Sequence, residues 1–190
     1  NKIISGLPFN SNLMIGNSSP IRDLDNFTFN IEKGLNIFSN RGASGIDGII
    51  STAIGISIDK NNYNALIIGD ISFFYDISSL INKHNIPINL TIFILNNKGG
   101  HIFDQLDGVS DEKEYKKYWL TPINLDIKNI ASSFNCGYKK IDSSDYKKIN
   151  SIVKEVILIK GIQLVEIIID SDKNQITNQA INKKIKDLLV

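Results

Sequence analysis

Cysteine is almost missing from this chain: Cys136 stands alone among 190 residues. A single thiol closes no internal disulfide, so the fold does not rely on an oxidising compartment. Cys136 is expected to be a small core side chain on a helix. No apolar run approaches the ~18 residues of a membrane span. A surplus of one charge is lacking too. With 21 basic and 20 acidic residues the formal net charge is +1, which leaves no electrostatic case for nucleic acid or a membrane surface. Internal repeats, low-complexity linkers and long charge blocks are also absent. So is an initial methionine: residue 1 is asparagine, and the chain is expected to be cut from a longer protein, with any targeting signal unreadable.

Arginine is scarce in an informative way. Only Arg22 and Arg41 occur among the basic residues, and both lie in a glycine- and serine-rich stretch. Arginine holds a carboxylate bidentately as lysine cannot; equally, Arg22 could pair with Asp23 or Asp25 while Arg41 is solvated. The abundance of isoleucine, asparagine and lysine fits an AT-rich coding sequence, hence a plastid or bacterial cytoplasm.

What is present is alternation. The length suits one well-buried domain. Near-continuous, β-branched apolar runs predict strands at Leu13 to Ile15, Asn36 to Phe38, Asn64 to Ile68, Asn89 to Leu95, Tyr138 to Ile141 and Gln163 to Ile169. Their character fits strands covered on both faces. Helices are predicted at Gly45 to Ile58 (Ser44 as cap), Ser72 to His84, Leu125 to Phe134, Tyr146 to Ile159 and Asn174 to Leu189. The pattern argues for an α/β, doubly wound, mostly parallel sheet with helices on both faces. Ligands of such sheets bind beyond the carboxyl ends of the strands. There the sequence places Gly16-Asn17-Ser18, Asn40-Arg41-Gly42, Gly69-Asp70 and Asn96-Asn97.

Two of these clusters answer each other. A carboxylate from Asp70, an amide oxygen from Asn97 and a carbonyl near Gly99 would supply half an octahedron. Mg²⁺ prefers such hard oxygen ligands and leaves other positions to water and phosphates. Ile71 and Ser72 open a helix toward the same place. The turn from Gly42 to Gly48 lacks G-x-G-x-x-G spacing, which disfavours a dinucleotide site; close helix–sheet packing also accounts for it. His101 has no carboxylate partner evident in the sequence, and His84 reads as structural.

These runs resemble the diphosphate-binding domain of thiamine-diphosphate enzymes, whose signature is Gly-Asp-Gly followed at a distance by Asn-Asn. The resemblance is closest to the MenD family, the 2-succinyl-5-enolpyruvyl-6-hydroxy-3-cyclohexene-1-carboxylate synthases. It rests on Gly16-Asn17-Ser18 with Arg22, on the run from Ser39 to Gly48, on Gly69-Asp70-Ile71-Ser72 with Tyr75-Asp76, and on the run from Asn96 to Phe103. Ile71 replaces the usual third glycine, as is common in that family.

The resemblance implies thiamine diphosphate held through Mg²⁺ (Mn²⁺ also) by Asp70, Asn97 and Gly99, with Gly69, Ile71 and Ser72 on phosphate oxygens and Ile46 as an apolar wedge. It implies that Asn17, Ser18, Arg22 and Arg41 face substrate carboxylates, and that Ile102, Phe103 and Leu106 form an apolar wall. The implied reaction is a transferase step of menaquinone or phylloquinone biosynthesis, decarboxylating 2-oxoglutarate and adding the succinyl unit to isochorismate. No catalytic residue is expected in this chain, because the assisting glutamate belongs to a pyrimidine domain of a partner subunit. Residues 1–190 are then a C-terminal domain, inactive alone, of a homodimer or homotetramer. Another thiamine-diphosphate 2-oxoacid decarboxylase or synthase, or a non-catalytic nucleotide-binding module, would show many of the same features.

Overall fold

Six apolar runs become six strands of one sheet. The computed structural model describes residues 1–28, 32–84, 86–105 and 112–189. The strands are β1 (Asn12–Ile15), β2 (Asn36–Phe38), β3 (Asn64–Gly69), β4 (Leu90–Asn96), β5 (Gly137–Ile141) and β6 (Ile162–Ile168). They lie in the order β2-β1-β3-β4-β6-β5, and every neighbouring pair is parallel. The helices are α1 (Lys2–Gly6), α2 (Ser19–Phe27), α3 (Ile49–Ile56), α4 (Asp70–Tyr75), α5 (Glu112–Glu114), α6 (Ile127–Ser133), α7 (Ile149–Val156) and α8 (Ser171–Leu189).

Side chains alternate across a strand, and here both alternating sets are apolar. Met14, Leu66, Ile68, Ile92 and Leu164 pack with Ile50 of α3, Phe73 of α4 and Ile127 of α6. Leu13, Ile15, Ala65, Phe93 and Val165 pack on the other face with Ile4 of α1 and Val153 of α7. Helices thus cover both faces. From β1 the chain moves outward to β2, and from β3 it moves the other way to β4, so the switch point falls between β1 and β3.

Several expectations change. Not every strand is covered: all three residues of β2 are exposed. The helix expected from Gly45 starts at Ile49, and neither Ser44 nor Asp47 caps it. Gly48 precedes it at φ +67, a left-handed conformation that cannot continue a helix backward. The helix expected over Ser72 to His84 breaks at Asp76 into α4 and a 3₁₀ segment, Ile77–His84. Asp76 leaves the helix to accept the Ser51 N–H at 2.8 Å and the Ser79 hydroxyl at 2.5 Å. Cys136 lies on no helix. Asn135, at φ +50, ends α6, and the Cys136 N–H donates to Ala131 O at 2.8 Å. Three helices were not predicted, α1, α2 and the short α5; Pro20 in the first turn of α2 is a start signal.

One contact across the sheet has a measurable consequence. Tyr63, just before β3, donates its hydroxyl to Thr91 Oγ1 of β4 at 2.5 Å. Burial pushes its pKa up to about 12, while the bond to Thr91 pulls the other way. A phenol raised in the folded state contributes stability that is whole below its unfolded value of about 10 and is lost as pH rises toward the folded value. That loss is on the order of 2–3 kcal/mol. Denaturant titrations of Tyr63→Phe across this range should show a shallower alkaline decline; an unchanged decline would exclude the assignment.

Candidate functional site

The switch point opens into a cleft of about 700 Å³ at the carboxyl ends of β1, β3 and β4. Small-molecule sites span roughly 300–1,000 Å³. Register explains why the Gly-Asp and Asn-Asn clusters meet there. β3 and β4 pair in parallel as far as Gly69↔Leu95, so Asp70 and Asn97 leave from adjacent strand tips.

Asp70 is the first residue of α4 and only 3 % exposed. Its Oδ1 accepts the N–H of Ile71 at 2.8 Å, and its Oδ2 accepts the N–H of Gly99 at 3.0 Å. Burial raises its pKa, opposed by bonds from the Ile71, Gly99 and Lys98 amides and by His101. Each carboxylate oxygen retains a second lone pair for a cation.

The loop after β4 is built around its own amide. Asn96 Oδ1 accepts the Lys98 N–H at 3.1 Å, a turn in which Lys98 adopts φ +64. Gly99 follows at φ +151, where a Cβ would stand 2.5 Å from Leu120 O. Gly100 donates to that same carbonyl at 2.6 Å. Glycine is therefore dictated at position 99 by conformation and by close approach. Gly69 is different. Its φ is −75, and a Cβ there would meet no atom within 4 Å. Nothing among the described residues requires glycine at that point, and the bare backbone borders the cleft.

Asp70, Asn97 and Gly99 all line this cleft, with Gly69, Ile71 and Ser72 beside them. Among the described residues no cluster of three or more His, Cys, Asp or Glu could hold a metal. One carboxylate with amide and carbonyl oxygens is instead a donor set that suits Mg²⁺ completed by water and phosphate. Ser18, at φ +74 ahead of α2, Ile46, Ile102 and Phe103 are also in the wall. Phe103 meets Trp119 edge to face at 5.4 Å.

The remaining expected residues lie elsewhere. Asn17 is buried and ties the β1 tip to the next loop, its Nδ2 donating to Gly45 O at 2.6 Å. Its Oδ1 is buried with no hydrogen-bond partner among the described residues. Arg22 and Arg41 are exposed and outside the wall. Leu106 lies outside the described residues.

The structure also adds residues that sequence reasoning passed over. His101 does have a carboxylate partner: its Nδ1 lies 2.8 Å from Asp104 Oδ2, and Tyr115 donates to the other carboxylate oxygen. The 3₁₀ segment His101–Gln105 stacks residues three apart, so the spacing itself was a signal. Asn174, Gln175, Asn178 and Gln179, at helical spacing on α8, also line the cleft and add polar groups to it. Ser171 at the start of α8 donates to Asn97 O at 3.1 Å.

Residues 22–167 match the family model of the thiamine pyrophosphate enzyme, C-terminal TPP binding domain. The chain is 35% identical over 183 residues to a 2-succinyl-5-enolpyruvyl-6-hydroxy-3-cyclohexene-1-carboxylate synthase of Listeria monocytogenes, covering 96% of this chain and 31% of that protein. It is 32% identical over 184 residues to the protein of the same name from Oceanobacillus iheyensis, covering 97% and 31%. The chain thus spans about a third of the length of these bacterial relatives. Among solved structures, benzoylformate decarboxylase from Polynucleobacter necessarius superposes with a TM-score of 0.65 at 16% identity, covering 90% of this chain and 32% of that one. This likeness bears on the fold alone.

Proposed function

Because the chain belongs to the thiamine pyrophosphate enzymes, as a C-terminal TPP-binding domain, we propose that its cleft holds the Mg²⁺–diphosphate end of thiamine diphosphate in a 2-succinyl-5-enolpyruvyl-6-hydroxy-3-cyclohexene-1-carboxylate synthase. The observation that carries this reading is the meeting of Asp70 and the Gly99 amide at 3.0 Å, which supports Asp70, Asn97 and Gly99, all lining the cleft, as one donor set. The relatives named above support the specific synthase, and their bacterial origin supports a bacterial cytoplasm over a plastid.

In this reading Asp70, Asn97 and the Gly99 carbonyl hold Mg²⁺, and Gly69, Ile71 and Ser72 face the phosphates. Thiamine diphosphate, when bound, supplies the electron sink that lets a 2-oxo acid lose CO₂ and pass its acyl unit to an acceptor. The chain's own residues position and shield. Ile46, a stiff, β-branched side chain in the cleft wall, would act as a wedge against the bound cofactor, and Ile102 and Phe103 would exclude water from it. Ser18, Arg22 and Arg41 hold the carboxylates of 2-oxoglutarate and isochorismate, with Asn17 fixing the loop geometry. For Arg41 to reach these groups, the exposed loop that carries it has to fold toward the cleft on binding, while Arg22 sits on α2 next to the lining residue Asp23. The proton-transfer glutamate is assigned to the pyrimidine domain of a partner subunit in a homodimer or homotetramer.

The test is calorimetry on the full-length protein with thiamine diphosphate and Mg²⁺, set against FMN and NAD, followed by turnover of 2-oxoglutarate with and without isochorismate. Mg²⁺-dependent binding of thiamine diphosphate alone and isochorismate-dependent turnover are expected. Release of free aldehyde without isochorismate would move the assignment to a decarboxylase. In the same assay Arg41→Lys should leave cofactor affinity unchanged and raise the KM of a carboxylate substrate. An unchanged KM counts against its role.

A further inference from the structure

Glu166 is a charge in an apolar place. It sits on β6 between Val165 and Ile167, both in the core, and is only 6 % exposed. No ion pair reaches it among the described residues. Its Oε1 accepts from Asn96 Nδ2 at 2.6 Å, and its Oε2 accepts from the Tyr138 hydroxyl. A buried carboxylate without a cation is a costly way to fill a sheet, and apolar residues at Glu166 and its partners together would serve stability at least as well. The reason for a carboxylate therefore lies in what it holds.

It holds an amide in one orientation. A carboxylate can only accept, so Asn96 must present its NH₂ to Glu166 and turn its Oδ1 the other way. That oxygen receives the Lys98 N–H at 3.1 Å and sets the turn. The turn delivers the Gly99 N–H to Asp70 Oδ2 at 3.0 Å, with Asn97 between. Were the Asn96 amide reversed, two N–H donors would face each other at Lys98 and the turn would open. We propose that Glu166 and Tyr138 are positioning residues for the metal-binding loop, acting through Asn96. This rests on the Mg²⁺–diphosphate reading of the cleft.

The experiment titrates Mg²⁺ into the full-length protein at saturating thiamine diphosphate, with the melting temperature of each apoprotein alongside. Glu166→Leu and Asn96→Ala should each weaken Mg²⁺ by about tenfold or more, the usual effect of losing a supporting partner. The double variant should be no weaker than the worse single one, because both cut the same link. Apoprotein melting should fall in Glu166→Leu, because the Asn96 amide and the Tyr138 hydroxyl lose their acceptor, so Mg²⁺ affinity is compared at a temperature where both proteins are folded. Glu166→Gln should keep Mg²⁺ affinity close to wild type, since its oxygen can still face Asn96 while the Tyr138 hydroxyl accepts from its NH₂. Wild-type Mg²⁺ affinity in folded Glu166→Leu, or losses that multiply in the double variant, overturn the proposal. If Glu166→Leu does not fold, Asn96→Ala decides, and its retaining full affinity overturns the proposal equally. Absence of Mg²⁺-dependent binding in the wild-type protein would instead overturn the cleft reading itself.

Discussion

Asp70→Ala is expected to abolish Mg²⁺-dependent binding of thiamine diphosphate while the sheet stays folded. The carboxylate is the only charged member of the proposed donor set. Its loss should exceed the roughly 10–100-fold effect of removing a mere supporting partner. The fold should tolerate the change for a specific reason. Alanine strands the N–H groups of Ile71 and Gly99, bound at 2.8 and 3.0 Å. It also removes a carboxyl whose burial disfavours its charged form. These effects oppose one another, and the apoprotein should shift by no more than about 1–2 kcal/mol either way. Calorimetry with and without Mg²⁺, beside thermal melting, separates the two. A folded variant that still binds the cofactor in a Mg²⁺-dependent manner would show that Asp70 is not a metal ligand.

The second large effect should come from Asp76, and it should be one of stability. Asp76 is 8 % exposed and accepts from the Ser51 amide, the Ser51 hydroxyl and the Ser79 hydroxyl. It joins α3 to the break after α4, the helix that Asp70 begins. Alanine leaves the buried Ser79 hydroxyl and the part-buried Ser51 donors without this acceptor, at a cost of roughly 2–4 kcal/mol. For a domain of this size, melting should fall by about 5–15 °C. Asparagine, which keeps one acceptor, should fall less. Equal melting of Asp76→Ala and wild type would show that the serines find other partners.

Much of this was legible in the chain itself, and the illegible parts have physical causes. β3 and β4 could be read because a strand buried on both faces has a near-continuous apolar sequence. β2 was found by the same rule although it is bare, since Asn36-Ile37-Phe38 carries the same local preference whatever covers it. The start of α3 was misplaced because Gly45 and Gly48 look alike as letters, and only Gly48 takes a left-handed conformation. Asp70 and Asn97 were visible as polar residues at apolar strand ends. The His101–Asp104 contact was missed because no helical turn was predicted over His101–Gln105, where residues three apart meet. Glu166 was hidden for the opposite reason: a lone charge inside an apolar run reads as a surface position, and its partners Asn96 and Tyr138 come from other strands.

That arrangement bears on how the protein is made. Asn96 and Glu166 are 70 residues apart, and β6 inserts between β4 and β5. During translation the loop carrying Asn97 leaves the ribosome long before the strand and helix that fasten it. A nascent chain stalled short of β6 can lay down β1 and β3 and tie Gly99 to Asp70, yet lacks the carboxylate that orients Asn96, so the loop is completed only when β6 joins the sheet.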